Sequence, residues 1–136
     1  VMLTLTSYEA EAPQNTINGA QVIACSGCSG GQRVGYLGMR VKNRTKIDGN
    51  LQINNVSKST TGSYGLTIYY TNGASSSRSG YMSVNGGPAI VFDGSPTGSY
   101  STVATLNVVV SLNAGNNTIE FYNPQDKAPD IDKIVV

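Results

Sequence analysis

The chain has 136 residues, nine Lys or Arg against eight Asp or Glu, no His, and a net charge of +1. That length suits a single domain and buries a core without help from disulfides. Only 12% of the residues are charged, so there is no global field to gather nucleic acid or a membrane surface, and no apolar run approaches the roughly 20 residues of a membrane helix.

No window carries the i, i+3, i+4 apolar stripe of a helix; short β-prone runs separated by turn residues recur instead. The first covers residues 3–12. On a strand its Glu9 and Glu11 share one face, about 6.5–7 Å apart along the chain. Like charges that close repel unless water solvates them or a cation joins them. Calcium, which takes hard oxygen ligands, suits the pair. Asp130-Ile131-Asp132 repeats the spacing near the other end, and Asp132 completes a trio if the first and last strands are neighbours. The plainer reading is two solvated side chains on the polar face of a strand.

A run over residues 20–25 follows Asn18-Gly19 and ends in Cys25-Ser26-Gly27-Cys28. Zinc needs two further Cys or His ligands that the chain lacks. A redox pair wants a helix after it, and Ser29-Gly30-Gly31-Gln32 reads as a loop. A small disulfide between Cys25 and Cys28, made in an oxidising compartment, fits better; two free thiols stay open as the alternative. Residues 33–37 form the next run. Arg40, Lys42, Arg44 and Lys46 alternate, which puts all four on one strand face or in a loop. Without interleaved aromatics they read as a solvated surface able to steer an acidic polymer.

Leu51 and Ile53 mark a strand ending near Val56. Residues 63–71 place Tyr64, Leu66, Ile68 and Tyr70 on one face, the core side. Further strands are expected over 81–84, 89–92, 102–111, 118–122 and 131–136. Asn85-Gly86-Gly87-Pro88 and other turn clusters separate them. Ala104, Leu106, Val108 and Val110 face inward, as do Ile119 and Phe121, and Tyr122 points the other way. This is an all-β pattern of about nine to ten antiparallel strands in a β-sandwich, one domain over residues 1–136 with no linker or repeat. The uncharged polar composition and the sequons at Asn43, Asn55 and Asn116 suit a secreted, extracellular protein, and Val1 reads as the edge of a mature protein or an excised module.

Five phrases carry a resemblance: Tyr8-Glu9-Ala10-Glu11, Gly30-Gly31-Gln32-Arg33-Val34-Gly35-Tyr36-Leu37, Thr61-Gly62-Ser63-Tyr64-Gly65-Leu66-Thr67-Ile68-Tyr69-Tyr70, Leu112-Asn113-Ala114-Gly115-Asn116-Asn117-Thr118-Ile119 and Pro129-Asp130-Ile131-Asp132-Lys133-Ile134. In this order they resemble the carbohydrate-binding modules of family 35, close to family 6. The resemblance implies a jelly roll joined covalently to a glycoside hydrolase or lyase domain. It implies a structural calcium on Glu9, Glu11 and Asp132, with backbone carbonyls near Gln32 and Arg33. It also implies a sugar site in the loops at one end, carried over to Gly35, Tyr36, Arg78, Asn85, Tyr122, Asn123 and Asp126, with Asp126 open as a ligand of a second calcium. Ligands of such modules include glycans of uronic acid, galactose and mannose. Many members place a Trp at the site; this chain has none, so a platform must come from its eight Tyr or two Phe.

The expected function is therefore a non-catalytic, monomeric sugar-binding module, with no nucleic-acid or membrane partner. An adhesive or structural β-sandwich that binds a protein is the alternative, and would expose an apolar patch rather than a polar groove. An enzyme is the weakest reading: without His there is no triad, and only paired-carboxylate chemistry stays formally open.

Overall fold

The computed structural model describes residues 5–136. Residues 3 and 4, the start of the first expected strand, lie outside the described part. Twelve strands follow: β1 (Ser7–Glu9), β2 (Thr16–Asn18), β3 (Gln21–Ala24), β4 (Gln32–Gly35), β5 (Gly38–Lys42), β6 (Thr45–Lys58), β7 (Gly62–Thr71), β8 (Arg78–Val84), β9 (Ile90–Gly94), β10 (Ala104–Leu112), β11 (Gly115–Tyr122) and β12 (Asp130–Val135). One sheet runs β10-β7-β12-β4-β3 with β1 on β12, the other β2-β6-β11-β8-β9 with β5 on β6. Facing each other, they make a β-sandwich jelly roll. The count exceeds the expected nine or ten because β2 is only three residues long and because β5 and β6 form a hairpin through the basic run.

That hairpin turns on Asn43 and Arg44, both in the left-handed region (φ 52° and 64°). Two positive φ values in a two-residue loop match the right-handed twist of the strands, and Asn favours the first of them. Lys42 faces Thr45 and Val41 faces Lys46 across the pair. Arg40 and Lys42 therefore lie on one face and Lys46 on the other, with Arg44 in the turn. The four cations do not form the single face that alternation suggested.

Alternation does locate the core. Leu66, Ile68 and Tyr70 of β7 meet Leu51, Ile53 and Val56 of β6, and Phe121 of β11 meets Phe92 of β9 edge-on with ring centres 6.0 Å apart. Full burial of one such side chain is worth about 1.5–3 kcal/mol. Strand β12 breaks its alternation. Ile131 pairs with Tyr70 and Lys133 with Tyr69, so Asp132 is the extra residue of a β-bulge. The bulge lets Asp130, Ile131 and Asp132 all be buried in sequence, and it sends the two carboxylates to different places.

Candidate functional site

The first place is an acidic corner. Cys25 and Cys28 are joined as a disulfide with Cα atoms 5.3 Å apart. The loop it ties leads into one 3-10 turn, Ser29–Gly31, closed by Cys25 N–H to Gly31 O at 2.9 Å and Gly31 N–H to Cys28 O at 3.1 Å. Gly30 is left-handed, and a Cβ there would stand 2.9 Å from Glu11 Oε1 and 3.6 Å from Glu9 Oε1. The Ser29 N–H donates to Asp132 Oδ2 at 3.1 Å, and the Ser29 hydroxyl donates to Glu9 Oε1. One turn thus gathers the three carboxylates that the sequence singled out. Their remaining oxygens, Glu9 Oε2, Glu11 Oε2 and Asp132 Oδ1, are buried with no hydrogen-bond partner.

Burial pushes the Glu11 carboxyl above its ordinary range, and the charges of Glu9 and Asp132 add to the push. Burial likewise raises Asp132, against the Ser29 hydrogen bond and with the Glu9 charge. Among the described residues, no three His, Cys, Asp or Glu side chains form a ready-made metal-binding group. The corner is instead an open set of anionic oxygens, three of them orphaned, with no cation paired to it by an ion bridge among the described residues. Buried polar atoms without partners are costly. An all-oxygen anionic set fits a hard divalent cation, and Ca²⁺ tolerates such open and irregular geometry.

The second place is a cleft of about 370 Å³ among the loops at one end of the sandwich. Its floor is the buried pair of Arg33 and Asp130, Nε to Oδ2 at 2.6 Å. Burial raises the Asp130 carboxyl, although its hydrogen bond to Arg33 and the charges of Arg33 and Arg78 pull it down. Gly35 keeps this floor open, since a Cβ would stand 2.6 Å from Ile23 Cδ1 and 3.0 Å from Asp130 Oδ2. At the rim Tyr36 takes φ 60° and is 52% exposed. The Arg40 guanidinium lies 4.4 Å from the centre of its ring, a cation–π contact that fixes the ring as a platform. On the opposite wall Arg78 Nη2 donates to Tyr100 Oη at 2.9 Å, and the guanidinium carbons of Arg33 and Arg78 each lie 5.6 Å from the Tyr100 ring centre. Lys127 completes the rim.

Arg78 also borders a second depression of about 250 Å³, with Tyr81, Asn123 and Asp126. Asn123 is buried and shapes the loop: its Nδ2 donates to Ser79 O at 2.9 Å, and its Oδ1 accepts from the N–H groups of Gln125 and Asp126 at 2.9 and 3.2 Å. Asp126 Oδ1 accepts from the Lys127 N–H at 2.7 Å.

Of the expected sugar-site residues, Gly35, Tyr36, Arg78, Asn123 and Asp126 thus come together. Tyr122 lies beside them on the outer sheet face, its ring centre 5.6 Å from that of Tyr81 and its hydroxyl 3.0 Å from Ser83 Oγ. It lines neither depression. Asn85 stands apart, just past the end of β8 that lies opposite Arg78. There its Nδ2 donates to Asn117 Oδ1 at 2.8 Å and its Oδ1 accepts from the Thr118 N–H at 2.9 Å, so the amide is spent on a turn. Sequence reasoning missed Arg33, Arg40, Tyr100, Lys127 and Asp130 as cleft residues, and Tyr81 as part of the second depression. Asp130 could have been suspected, because a buried-looking strand spends an acid only where something pairs with it.

Comparison with known proteins places this geometry. A family model described as CBM13-like, the CBM13 domain of an α-galactosidase, matches residues 50–136. No curated protein matches the chain. Among solved structures, an exo-β-1,3-galactanase from Phanerochaete chrysosporium, in a structure with β-1,3-galactotriose, superposes with a TM-score of 0.86 at 37% identity, over 99% of this chain and 30% of that one. The chain therefore spans less than a third of the galactanase's length. The family 35 module from Clostridium thermocellum gives a TM-score of 0.86 at 39% identity over 96% of this chain and 97% of that one. A family 35 module from Paenibacillus barcinonensis gives 0.80 at 26% identity over 96% and 98%. Identity of 39% over nearly the full length of a whole module, with a TM-score of 0.86, makes this chain a member of carbohydrate-binding module family 35.

Proposed function

We propose that the chain is a non-catalytic module that seats a galactose-containing glycan in the Tyr36–Arg78 cleft. The observation that carries this reading is the Tyr36 ring, half-exposed at the rim with Arg40 against one face, beside the polar Arg33–Asp130 floor. A pyranose has an apolar C–H face and a polar edge, and so needs a ring on one side and fixed donors on the other. Arg78 and Arg33 supply such donors in rigid forks. The galactanase with β-1,3-galactotriose, at 37% identity, favours galactose among the candidate sugars. Asp130 is already bound to Arg33, and a Tyr platform over an ion-paired floor serves binding rather than bond cleavage.

The acidic corner belongs to the same reading. Glu9, Glu11 and Asp132 would hold Ca²⁺, with the Ser29–Gly31 turn setting their spacing. Bound there, the ion would supply the positive charge that three crowded carboxylates lack. The role is structural, because the corner and the cleft use different carboxylates of β12. A secreted parent protein would carry the module beside a polysaccharide-degrading domain, and tethering would raise the local concentration of substrate.

A second reading has its own observation: four cations, Arg33, Arg40, Arg78 and Lys127, surround one carboxylate, Asp130, in the cleft. Such a balance also suits a uronic acid. Calorimetric titration with galactose, glucuronic acid and mannose separates the two. The galactose reading expects the tightest binding for galactose, with a dissociation constant on the order of micromolar to millimolar. Tighter glucuronate binding that weakens with salt would favour the second reading. Binding of none of the three would overturn both.

A further inference from the structure

We infer that the module reads two adjoining sugar units, with Arg78 as the bridge between two subsites. The inference rests on the sugar-binding reading and extends it. Of the expected ligand residues, Tyr36 and Arg78 line the first cleft and Arg78, Asn123 and Asp126 the second depression, so Arg78 is the side chain common to both. A residue that walls two hollows is useful only if it is held still, and Arg78 is. Its guanidinium donates to the Tyr100 hydroxyl, with its central carbon 5.6 Å from the ring centre. The Tyr100 ring is in turn packed so closely on Gly73 that a Cβ there would lie 2.3 Å from ring carbon Cδ2. Guanidinium has five N–H donors in a planar fork. The Tyr100 contact takes one, which leaves donors for hydroxyls on both sides.

The second hollow has the makings of a sugar subsite of its own. Tyr81 gives an aromatic surface, backed by Tyr122. Val91, 58% exposed, adds an apolar wall. Gln125 and Asp126 line the polar side, held in place by the Asn123 side chain. Apolar surface faces amides, a carboxylate and a guanidinium, the same division of labour as in the first cleft. The occupant is a second pyranose unit linked to the one over Tyr36.

The test is titration of the full chain with galactose, β-1,3-galactobiose and β-1,3-galactotriose, using wild type, Tyr81→Ala and Tyr81→Phe. The disaccharide should bind about tenfold tighter than galactose and the trisaccharide no tighter than that. Tyr81→Ala should erase the gain and leave galactose affinity unchanged, and Tyr81→Phe, which keeps the ring, should retain it. Thermal melts of both variants check that the fold is intact. Galactose binding with no gain for either oligomer would overturn the second subsite and leave the cleft reading standing. So would a Tyr81→Ala loss that falls equally on galactose. No binding of any of the three would overturn the galactose reading and this inference with it.

Discussion

Two asparagines separate what a residue type announces from what its place in the fold allows. Asn85 and Asn123 both sit in turn-rich sequence, and both are the amide type that sugar sites use. Strand β8 settles the difference. Its seven residues, Arg78–Val84, span about 20 Å, so a turn just past Val84 lies at the end of the sandwich opposite Arg78. Asn85→Ala is therefore expected to leave sugar affinity unchanged in titration and to lower stability in urea melts by about 1 kcal/mol, the worth of the hydrogen bonds it donates to Asn117 and accepts from Thr118. Asp130 presents the opposite case. Asp130→Asn leaves the buried Arg33 guanidinium without its counter-charge, a loss on the order of 3–5 kcal/mol measurable in the same melts. Tyr36 was legible in the sequence because one of the five phrases carried it; Arg78 lies in none of them and came only with the family resemblance. Tyr100 was not legible, since a lone Tyr in a Ser- and Gly-rich loop has no periodicity, and its partners Arg33 and Arg78 are brought to it only by tertiary folding.

At the scale of elements, the bulge in β12 matters most. In a regular strand Asp130 and Asp132 would share a face; the extra residue aims one at Arg33 and the other at Ser29. The sequence displayed the acidic spacing, and from it the Glu9–Glu11–Asp132 trio was legible. It did not display the bulge, because nothing in Asp-Ile-Asp-Lys departs from ordinary alternation. The hairpin of β5 and β6 escaped for a related reason: Asn43-Arg44 puts Arg, not Gly, at the second left-handed position. The acidic corner makes a pH prediction. Glu11 and Asp132 are both raised when no cation is present. The folded chain then holds protons that the unfolded chain has released, so its stability falls as pH rises from the ordinary carboxylate range through the raised values. A cation must displace those protons and does so more easily at higher pH. If calcium holds the corner, chelation should lower the melting temperature more at pH 7 than at about pH 5. Calcium at a thousandfold excess over its dissociation constant would stabilise the fold by about 4 kcal/mol. Glu9→Gln with Glu11→Gln should abolish the chelator effect. An equal chelator effect at both pH values would count against the carboxylates as its source.

Over the whole molecule, division of labour follows the sandwich. Two six-stranded sheets close an apolar core, and the loops at one end stand on that frame. Core strands were legible as alternation: Leu66, Ile68 and Tyr70 are buried where residues of one parity should be, and Val109 is exposed where the other parity should be. The cleft was only half legible. It is assembled from β3, β4, β5, β8, β12 and three connecting loops, far apart in sequence, and only sheet order says which of them meet. The adhesive alternative expected a broad apolar patch, whereas the feature this end presents is a cleft in which four cations and one carboxylate stand among Ile23, Leu37, Val41 and two tyrosines. The measurement that tests the central claim most directly is an amide NMR titration of the ¹⁵N-labelled chain with galactose, repeated on Tyr36→Ala. The account predicts shifts confined to residues 33–41, 78, 99–101 and 127–130, lost or at least tenfold weaker in the variant. Shifts centred on the Asn85 turn or on the open sheet faces, or an undiminished response in Tyr36→Ala, would contradict it.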